Sequence, residues 1–299
     1  MKNKIKRAIF HPSHLALFIL HKTAGFWPDK LYLKLKFRLV MGHKLDLKSP
    51  KTFNEKLQWL KLYNRCPEYS MMVDKFAVKD YVSRIIGEEY IIPTIAIYNK
   101  IEDIEWEKLP NQFVLKTTHG GGGGGVVICK NKSCFNKLDA INILRKSLEN
   151  DIYKYYCEWP YKDVSKRILV EEYIEDDDLK DYKFFCFNGY AKFLKIDFNR
   201  FKNHQANYYD LNMNILPFGE LCCLPDYTRT FDKPQNFETM IDIVNRLSKD
   251  IPFSRIDLYN VRGQIYFGEI TFYPAGGMGR FEPDIWDLKL GDMLDLPNK

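Results

Sequence analysis

The chain has 299 residues, of which 45% are hydrophobic and 28% charged, the makeup of a globular protein, which excludes disorder and collagen-like repeats. The formal net charge is +6, but Met1 to Lys48 holds eleven basic and two acidic residues, a local net of +9, so the remainder stands at −3. A nucleic-acid reading of the whole protein is therefore excluded, and any basic partner surface is N-terminal.

Lys2, Lys4, Lys6 and Arg7 precede an apolar stretch, yet His11, Pro12, Ser13 and His14 interrupt it and no small-residue cleavage site follows. Secretion is not expected. The apolar run Leu15 to Leu20 is far shorter than the roughly 20 residues that span a bilayer. From Lys30 to Leu39 basic and bulky apolar residues mix, a pattern that lies on an anionic membrane or packs its apolar face on the protein itself. Leu31, Leu33, Leu35 and Phe37 also alternate, so helix and strand are both open. Cys66, Cys129, Cys134, Cys157, Cys186, Cys222 and Cys223 are odd in number and lack paired C-x-x-C spacing. They read as free thiols in a reducing cytosol.

Thr52 followed three residues later by Glu55 is a capping-box pattern opening a helix that carries Leu57, Trp59 and Leu60. A second helix is predicted from near Asp74, with Val78, Tyr81, Val82 and Ile85 on one face and Gly87 as its cap; Lys75 and Lys79 lie one turn apart. Beyond Pro93 short β-like runs alternate with one more amphipathic helix around Leu138, Ile141, Leu144 and Leu148, which makes a mixed α and β domain. Asn188-Gly189 between two strand-like runs predicts a hairpin.

Phe113 to His119 reads as a strand entering six glycines, Gly120, Gly121, Gly122, Gly123, Gly124 and Gly125, followed by Val126 to Ile128. Glycines let successive N–H groups curl around phosphate oxygens without Cβ obstruction, and Lys116 adds a point charge. A flexible linker is the bland alternative, but linkers join polar segments and this run is flanked by apolar ones. Ser254 to Tyr259 and Gln264 to Thr271 read as two strands in which Arg255 and Asp257 share a face, as do Phe267, Glu269 and Thr271. A three-residue loop over Val261 to Gly263 pairs Asp257 with Phe267 and makes Glu269 its diagonal neighbour. Two carboxylates beside an Arg suit Mg²⁺ and nucleotide phosphates, or else an exposed salt-bridged hairpin. Arg167 to Ile174 reads as a buried strand ending in acids, and Asp181 to Phe185 sets Lys183 inward among apolar alternation.

In this order Asp74-Lys75, Phe113 to Lys116 before the glycines, Val170 to Ile174, Asp181 to Lys183, Arg255 to Asp257 and Gly268 to Thr271 resemble the ATP-grasp superfamily. The similarity is to its TupA-like branch of teichuronopeptide biosynthesis proteins, often labelled glycosyltransferase in polysaccharide gene clusters, and it runs from about Thr52 to Gly277. The resemblance implies an α+β fold in which two α+β subdomains clasp ATP. The expected layout is a basic amphipathic region over 1–50 and an ATP-grasp domain over 51–299, with a helical part (51–110), a glycine-loop part (111–170) and a metal-binding part (171–299).

It further implies that Lys75, Lys116, His119 and the glycine loop meet ATP, with Lys116 on the α- and β-phosphates. Glu171, Glu172, Tyr173 and Ile174 would face adenine, and Glu175 or Asp178 the ribose. Lys183 and Arg255 would neutralise the transferring phosphate, and Asp257, Glu269 and Thr271 would hold Mg²⁺. Thr271 departs from the family's usual Asn and offers a weaker oxygen. The polar stretch Asp197 to Asp210, with Asp197, Arg200, His204 and Asn207, suits an acceptor, or is a plain surface loop. The reaction so implied is ATP-dependent carboxylate–amine ligation of small-molecule or glycan partners, in the cytoplasm or at the inner membrane face. The rivals are a sugar-nucleotide glycosyltransferase using Asp176 to Asp178 and a non-catalytic nucleotide-binding module.

Overall fold

A computed structural model describes residues 12–121, 124–176, 179–198 and 204–298. The described part of the basic N-terminal segment holds α1 (Pro12–Lys22) and α2 (Asp29–Met41). Its apparent alternation yields to a helix because Tyr32, Leu33 and Phe37 form the buried side, and Gly42 ends α2 at φ +84, a left-handed cap that glycine takes without Cβ strain. In α3 (Phe53–Tyr63) the Thr52 hydroxyl accepts from the Glu55 N–H while the Glu55 carboxylate accepts from the Thr52 N–H, a reciprocal cap that contributes about 1 kcal/mol. Leu57, Trp59 and Leu60 are buried. After α4 (Glu68–Val73), the helix α5 (Ala77–Ile86) opens where the Asp74 carboxylate accepts from the Phe76 and Ala77 N–H groups. Val78 and Val82 are buried, and Gly87 closes the helix.

The first sheet is antiparallel, built from β1 (Thr94–Tyr98), β2 (Phe113–Thr117), β3 (Val126–Cys129) and β4 (Ile168–Glu171) in the order β1-β4-β2-β3. Its core of Phe113, Leu115, Ile168 and Val170 is covered by α6 (Lys137–Leu148) through Ala140 and Leu144. Leu138, expected on that buried face, is 73% exposed. The strand expected to reach Ile174 stops at Glu171. Between them lies α7 (Ile152–Tyr156).

The second sheet comprises β5 (Asp181–Phe187), β6 (Tyr190–Phe198), β7 (Gln205–Asp210), β9 (Phe253–Val261) and β10 (Gln264–Thr271) in the order β10-β9-β5-β6-β7; β8 (Gly219–Glu220) pairs separately with β11 (Phe281–Glu282). The central β5 is buried along its whole length. On one face α8 (Phe237–Leu247) packs Phe237 against Phe184 at 5.8 Å between ring centroids. The other face is an aromatic cluster of Phe185, Phe187, Phe193 and Phe253, closed by Phe53 of α3 at 4.9 Å from Phe253. The helix α9 (Ile285–Asp292) ties α3 down through Asp287, which accepts from the Asn54 N–H at 2.9 Å. The expectation of one helix beyond Pro93 is thus corrected to α6, α7, α8 and α9 among the described residues; α8 carries a legible stripe of Phe237, Met240, Ile243, Val244 and Leu247.

Asn188-Gly189 makes the expected two-residue turn, with φ of 52 and 85. The β9–β10 loop is also two residues, Arg262-Gly263 with φ of 52 and 87, and Val261 pairs with Gln264. The three-residue loop is therefore corrected, and with it the register.

Candidate functional site

The corrected register sets the site. Phe267 pairs with Leu258, a bulge falls at Gly268, and Glu269 then stands directly opposite Asp257. A Cβ on Gly268 would lie 2.9 Å from the Asp257 carbonyl oxygen, so only glycine allows this approach. Asp257 is paired in turn with Lys183 on β5, and Lys183 with Lys195 on β6. One rung across the sheet thus carries Glu269, Asp257, Lys183 and Lys195 on a single face.

Arg255 forks onto this rung. Its Nε and Nη2 donate to the two Asp257 oxygens at 2.6 and 2.7 Å, and Nη2 also donates to Glu269 Oε1 at 2.9 Å and Thr271 Oγ1 at 3.1 Å. Lys183 is buried against Asp181, with Asp257 at 3.1 Å and Asp197 at 3.5 Å. Burial pushes the Asp257 carboxyl up to about 6 against the pull of Arg255 and Lys183. Burial opposes ionisation of Glu269 as well, but Lys75, Arg255 and Lys183 outweigh it and hold that carboxyl at about 2. For Lys183 burial disfavours the charge, yet Asp257 and Asp181 raise its pKa; Arg255 is raised likewise by Asp257 and Glu269. Both remain cationic and act as fixed charges, with no proton to exchange near neutrality.

Lys75 joins the two sheets: its Nζ donates to the Gly120 carbonyl at 2.5 Å and lies 3.4 Å from Glu269 Oε2. Glu171, the last residue of β4, receives Lys79 at 2.6 Å and Lys116 at 2.5 Å. Burial disfavours its charge, but the two lysines keep its pKa below the ordinary value. Lys75, Lys79, Ile92, Lys116, Glu171 and Phe267 line a cleft between the sheets. The described ends of the glycine loop are close-packed, since a Cβ on Gly120 would meet Thr117 Oγ1 at 2.4 Å and one on Gly125 would meet Ser147 Oγ at 2.2 Å. Nothing lies within 4 Å of a Cβ at Gly124. His119 turns inward, Nε2 on the Ser147 carbonyl at 3.2 Å; burial, then Lys166, lower its pKa.

Lys75, Lys183, Arg255, Asp257, Glu269 and Thr271 come together as a group, and Lys116 faces the same cleft from β2. Glu172 donates its N–H to the Pro93 carbonyl at 3.1 Å, and Tyr173 lies under the Lys130 ammonium, 5.8 Å from the ring centroid. Ile174 and Glu175 follow outside any strand. Asp197 and His204 are in contact at 2.8 Å. Asn207, by alternation, sits on the opposite face of the sheet, where its amide holds the Asp226 and Arg229 carbonyls at 2.7 and 2.8 Å. Gly122, Gly123, Asp177, Asp178 and Arg200 lie outside the described residues. Lys79 and Asp181 stand in the sequence motifs without an assigned role, and Lys195 and Glu220 escaped the sequence reading; the two-residue spacing of Lys195 and Asp197 was the available signal.

The donor set fits a hard cation: two opposed carboxylates and a hydroxyl are oxygen ligands on one face, and Lys75, Lys79 and Lys116 line the adjoining cleft, as polyphosphate requires. Two antiparallel sheets, with a glycine loop at one and paired carboxylates on the other, are the ATP-grasp fold, the class to which this α+β molecule belongs. The family model described as TupA-like ATPgrasp matches residues 55–295, and the chain belongs to that family.

Among solved structures the chain is similar to D-alanine-D-alanine ligase from Helicobacter pylori, at 16% identity and a TM-score of 0.44, over 81% of this chain and 69% of that one. It is also similar to D-alanine–D-alanine ligase from Bacillus anthracis complexed with ATP (16%, TM-score 0.43, 75% of this chain and 63% of that one). N5-carboxyaminoimidazole synthetase from Staphylococcus aureus follows at 14% and a TM-score of 0.37, over 67% of this chain and 44% of that one. No curated protein matches.

Proposed function

We propose that this chain is an ATP-dependent carboxylate–amine ligase that makes an amide through an acyl phosphate in cell-surface polysaccharide biosynthesis. The observation that carries the reading is the convergence of Asp257, Glu269, Arg255 and Lys183 on one sheet face, with Lys75 bridging to the glycine loop. A free carboxylate resists amines because its charge repels the nucleophile and oxide is a poor leaving group. Phosphorylation removes both obstacles.

In this account Lys116 and Lys75 hold the polyphosphate and the glycine-loop N–H groups close over it, while Glu171 to Ile174 border the base and Glu175 the ribose. Asp257, Glu269 and Thr271 would hold Mg²⁺, which would supply positive charge to neutralise the nucleotide phosphates. Arg255 and Lys183, both fixed cations, stabilise charge developing on the transferred phosphoryl group. Asp197 and His204 lie on the acceptor side of Lys183, where a glycan or amino-acid carboxylate and then an amine would be received. Asn207 takes no part in this reading.

Among the described residues no helix is long and apolar enough to cross a membrane. The reading instead places the enzyme against an anionic inner membrane face through α1 and α2. Leu15, Phe18 and Ile19 share one exposed side of α1, Phe26 in the connection is 88% exposed, and Lys22, Lys30 and Lys34 are exposed around them. Apolar insertion rimmed by lysines is the composition that binds anionic lipid.

The test is nucleotide-dependent thermal protection. Mg²⁺ with ATP or ADP is expected to raise the melting temperature of the full chain, and Asp257→Asn or Glu269→Gln to abolish that rise. Protection by UDP-sugars with ATP inert would favour the transferase rival.

A further inference from the structure

Away from the nucleotide cleft, at the β6 side of the second sheet, Glu220, Cys222 and Cys223 converge, a set that the proposed ligase chemistry does not use and that borders Asp197 and His204 on the acceptor side. The Cys223 N–H donates to the Glu220 carbonyl at 3.0 Å, and the turn so formed gathers the side chains of Glu220, Cys222 and Cys223. Glu220 Oε2 lies 3.7 Å from Cys222 Sγ and 3.6 Å from Cys223 Sγ, and the two sulfurs are 3.5 Å apart. The three donor atoms form a nearly equilateral triangle.

That triangle has the size of one face of a tetrahedral zinc site. With Zn–S bonds of about 2.3 Å and Zn–O bonds of about 2.0 Å, neighbouring donors stand about 3.8 Å (S to S) and about 3.5 Å (S to O) apart. The fourth ligand would come from His204. With Asp197 and Cys223 it forms a second group of donor atoms within 4.8 Å of one another; the two groups share Cys223 alone, so the imidazole turns toward Glu220 and Cys222 when the ion binds, and Asp197 Oδ1 lies 2.8 Å from its Nε2. A carboxylate on one imidazole nitrogen leaves the other for a metal and fixes the ring's orientation.

Charge is nearly balanced: two thiolates and the Glu220 carboxylate carry three negative charges against a divalent ion and the Lys195 ammonium, 2.7 Å from Glu220 and 3.2 Å from Cys223 Sγ, while Asp197 shares Lys195 at 3.7 Å and Lys183 at 3.5 Å. Metal binding would release the two thiol protons to solvent. Glu220 and Cys223 are buried while Cys222 and His204 are exposed, so the site has a supported floor and an open approach.

We propose that Glu220, Cys222, Cys223 and His204 form a tetrahedral zinc(II) site, with Asp197 orienting the histidine. The ion pins the turn after β8 to the edge of the sheet that faces the acceptor side. No C-x-x-C spacing announces it, because adjacent cysteines and a distant histidine are joined only by the fold.

The test uses reduced, metal-free, full-length protein with Mg²⁺ in excess to fill oxygen-only sites, titrated with Co²⁺ and then Zn²⁺. The expected result is a thiolate-to-cobalt charge-transfer band saturating at one equivalent, bleached by Zn²⁺. Cys222→Ser and Cys223→Ser are expected each to lose the band, and His204→Ala, at an exposed position that keeps the fold, to weaken cobalt binding at least tenfold; Cys134→Ser retains it. Zn²⁺ should raise the melting temperature of the parent protein and not of Cys222→Ser. Absence of the band, or a band unchanged in both Cys222→Ser and Cys223→Ser, overturns the proposal, as does equal zinc stabilisation of parent and Cys222→Ser.

Discussion

Asp257 and Glu269 face each other across β9 and β10 because the bulge at Gly268 shifts the register by one residue between Phe267 and Glu269. Without it Glu269 would fall out of line with Asp257 and turn from the Arg255 fork. In Gly268→Ala the added Cβ meets the Asp257 carbonyl at 2.9 Å, a backbone contact that cannot swing away. Such a change is expected to cost about 1–3 kcal/mol of stability and to lower nucleotide turnover out of proportion to it. Thermal unfolding and ADP release, measured together, check this; turnover that follows stability alone would speak against a role for the register.

Lys183 compensates three carboxylates, those of Asp181, Asp197 and Asp257. Lys183→Met leaves them facing one another in a buried site, and a loss of about 3–5 kcal/mol is expected. Urea denaturation at falling pH separates the causes. If charge is the origin, the deficit shrinks as the carboxylates gain protons; a deficit constant between neutral and acid pH would point to lost packing.

These two positions show what the sequence made legible. The capping box at Thr52, the Asn188-Gly189 turn and the two strands that flank the glycine run depend on neighbours within a few residues, and each appears where expected. The β9–β10 register does not, because loop length and bulge each shift the pairing by one and neither follows from alternation. The same limit hid Lys195 with Glu220, which lie far apart in the chain and meet only through tertiary packing. Leu138 misled because apolar spacing there is helical while Ala140 and Leu144 set the buried side.

Glu158 lies buried near Lys61 and Lys36, and burial, offset only in part by those lysines, lifts its carboxyl from 4.5 to about 7. The native state therefore keeps a proton that the unfolded chain has already lost. The contribution is full below pH 4.5, declines as pH rises, and is gone above about 7, a change of up to about 3 kcal/mol. Urea midpoints at pH 5 and pH 8 should fall more steeply for the parent protein than for Glu158→Gln. Identical slopes would show that Glu158 is ionised in the native state.

The membrane reading calls for surface changes, since deleting residues 1–48 would also remove the buried Tyr32, Leu33 and Phe37. Phe18→Ser with Phe26→Ser touches exposed side chains only. Sedimentation with anionic liposomes is expected to drop severalfold, and binding of the parent protein to weaken with salt. Equal sedimentation of the variant and the parent would remove α1 and α2 from the contact.

The central claim is that the site moves the γ-phosphoryl group of ATP onto a carboxylate. Hydroxylamine trapping tests it most directly: the full chain with Mg²⁺, ATP, concentrated hydroxylamine and a panel of uronic acids and amino acids, with no other amine added. The account predicts hydroxamate from the accepted carboxylate, formed in step with equal amounts of ADP and phosphate and lost in Lys116→Met. AMP with pyrophosphate, a phosphorylated product without phosphate release, or UDP from a UDP-sugar with ATP untouched would each contradict it.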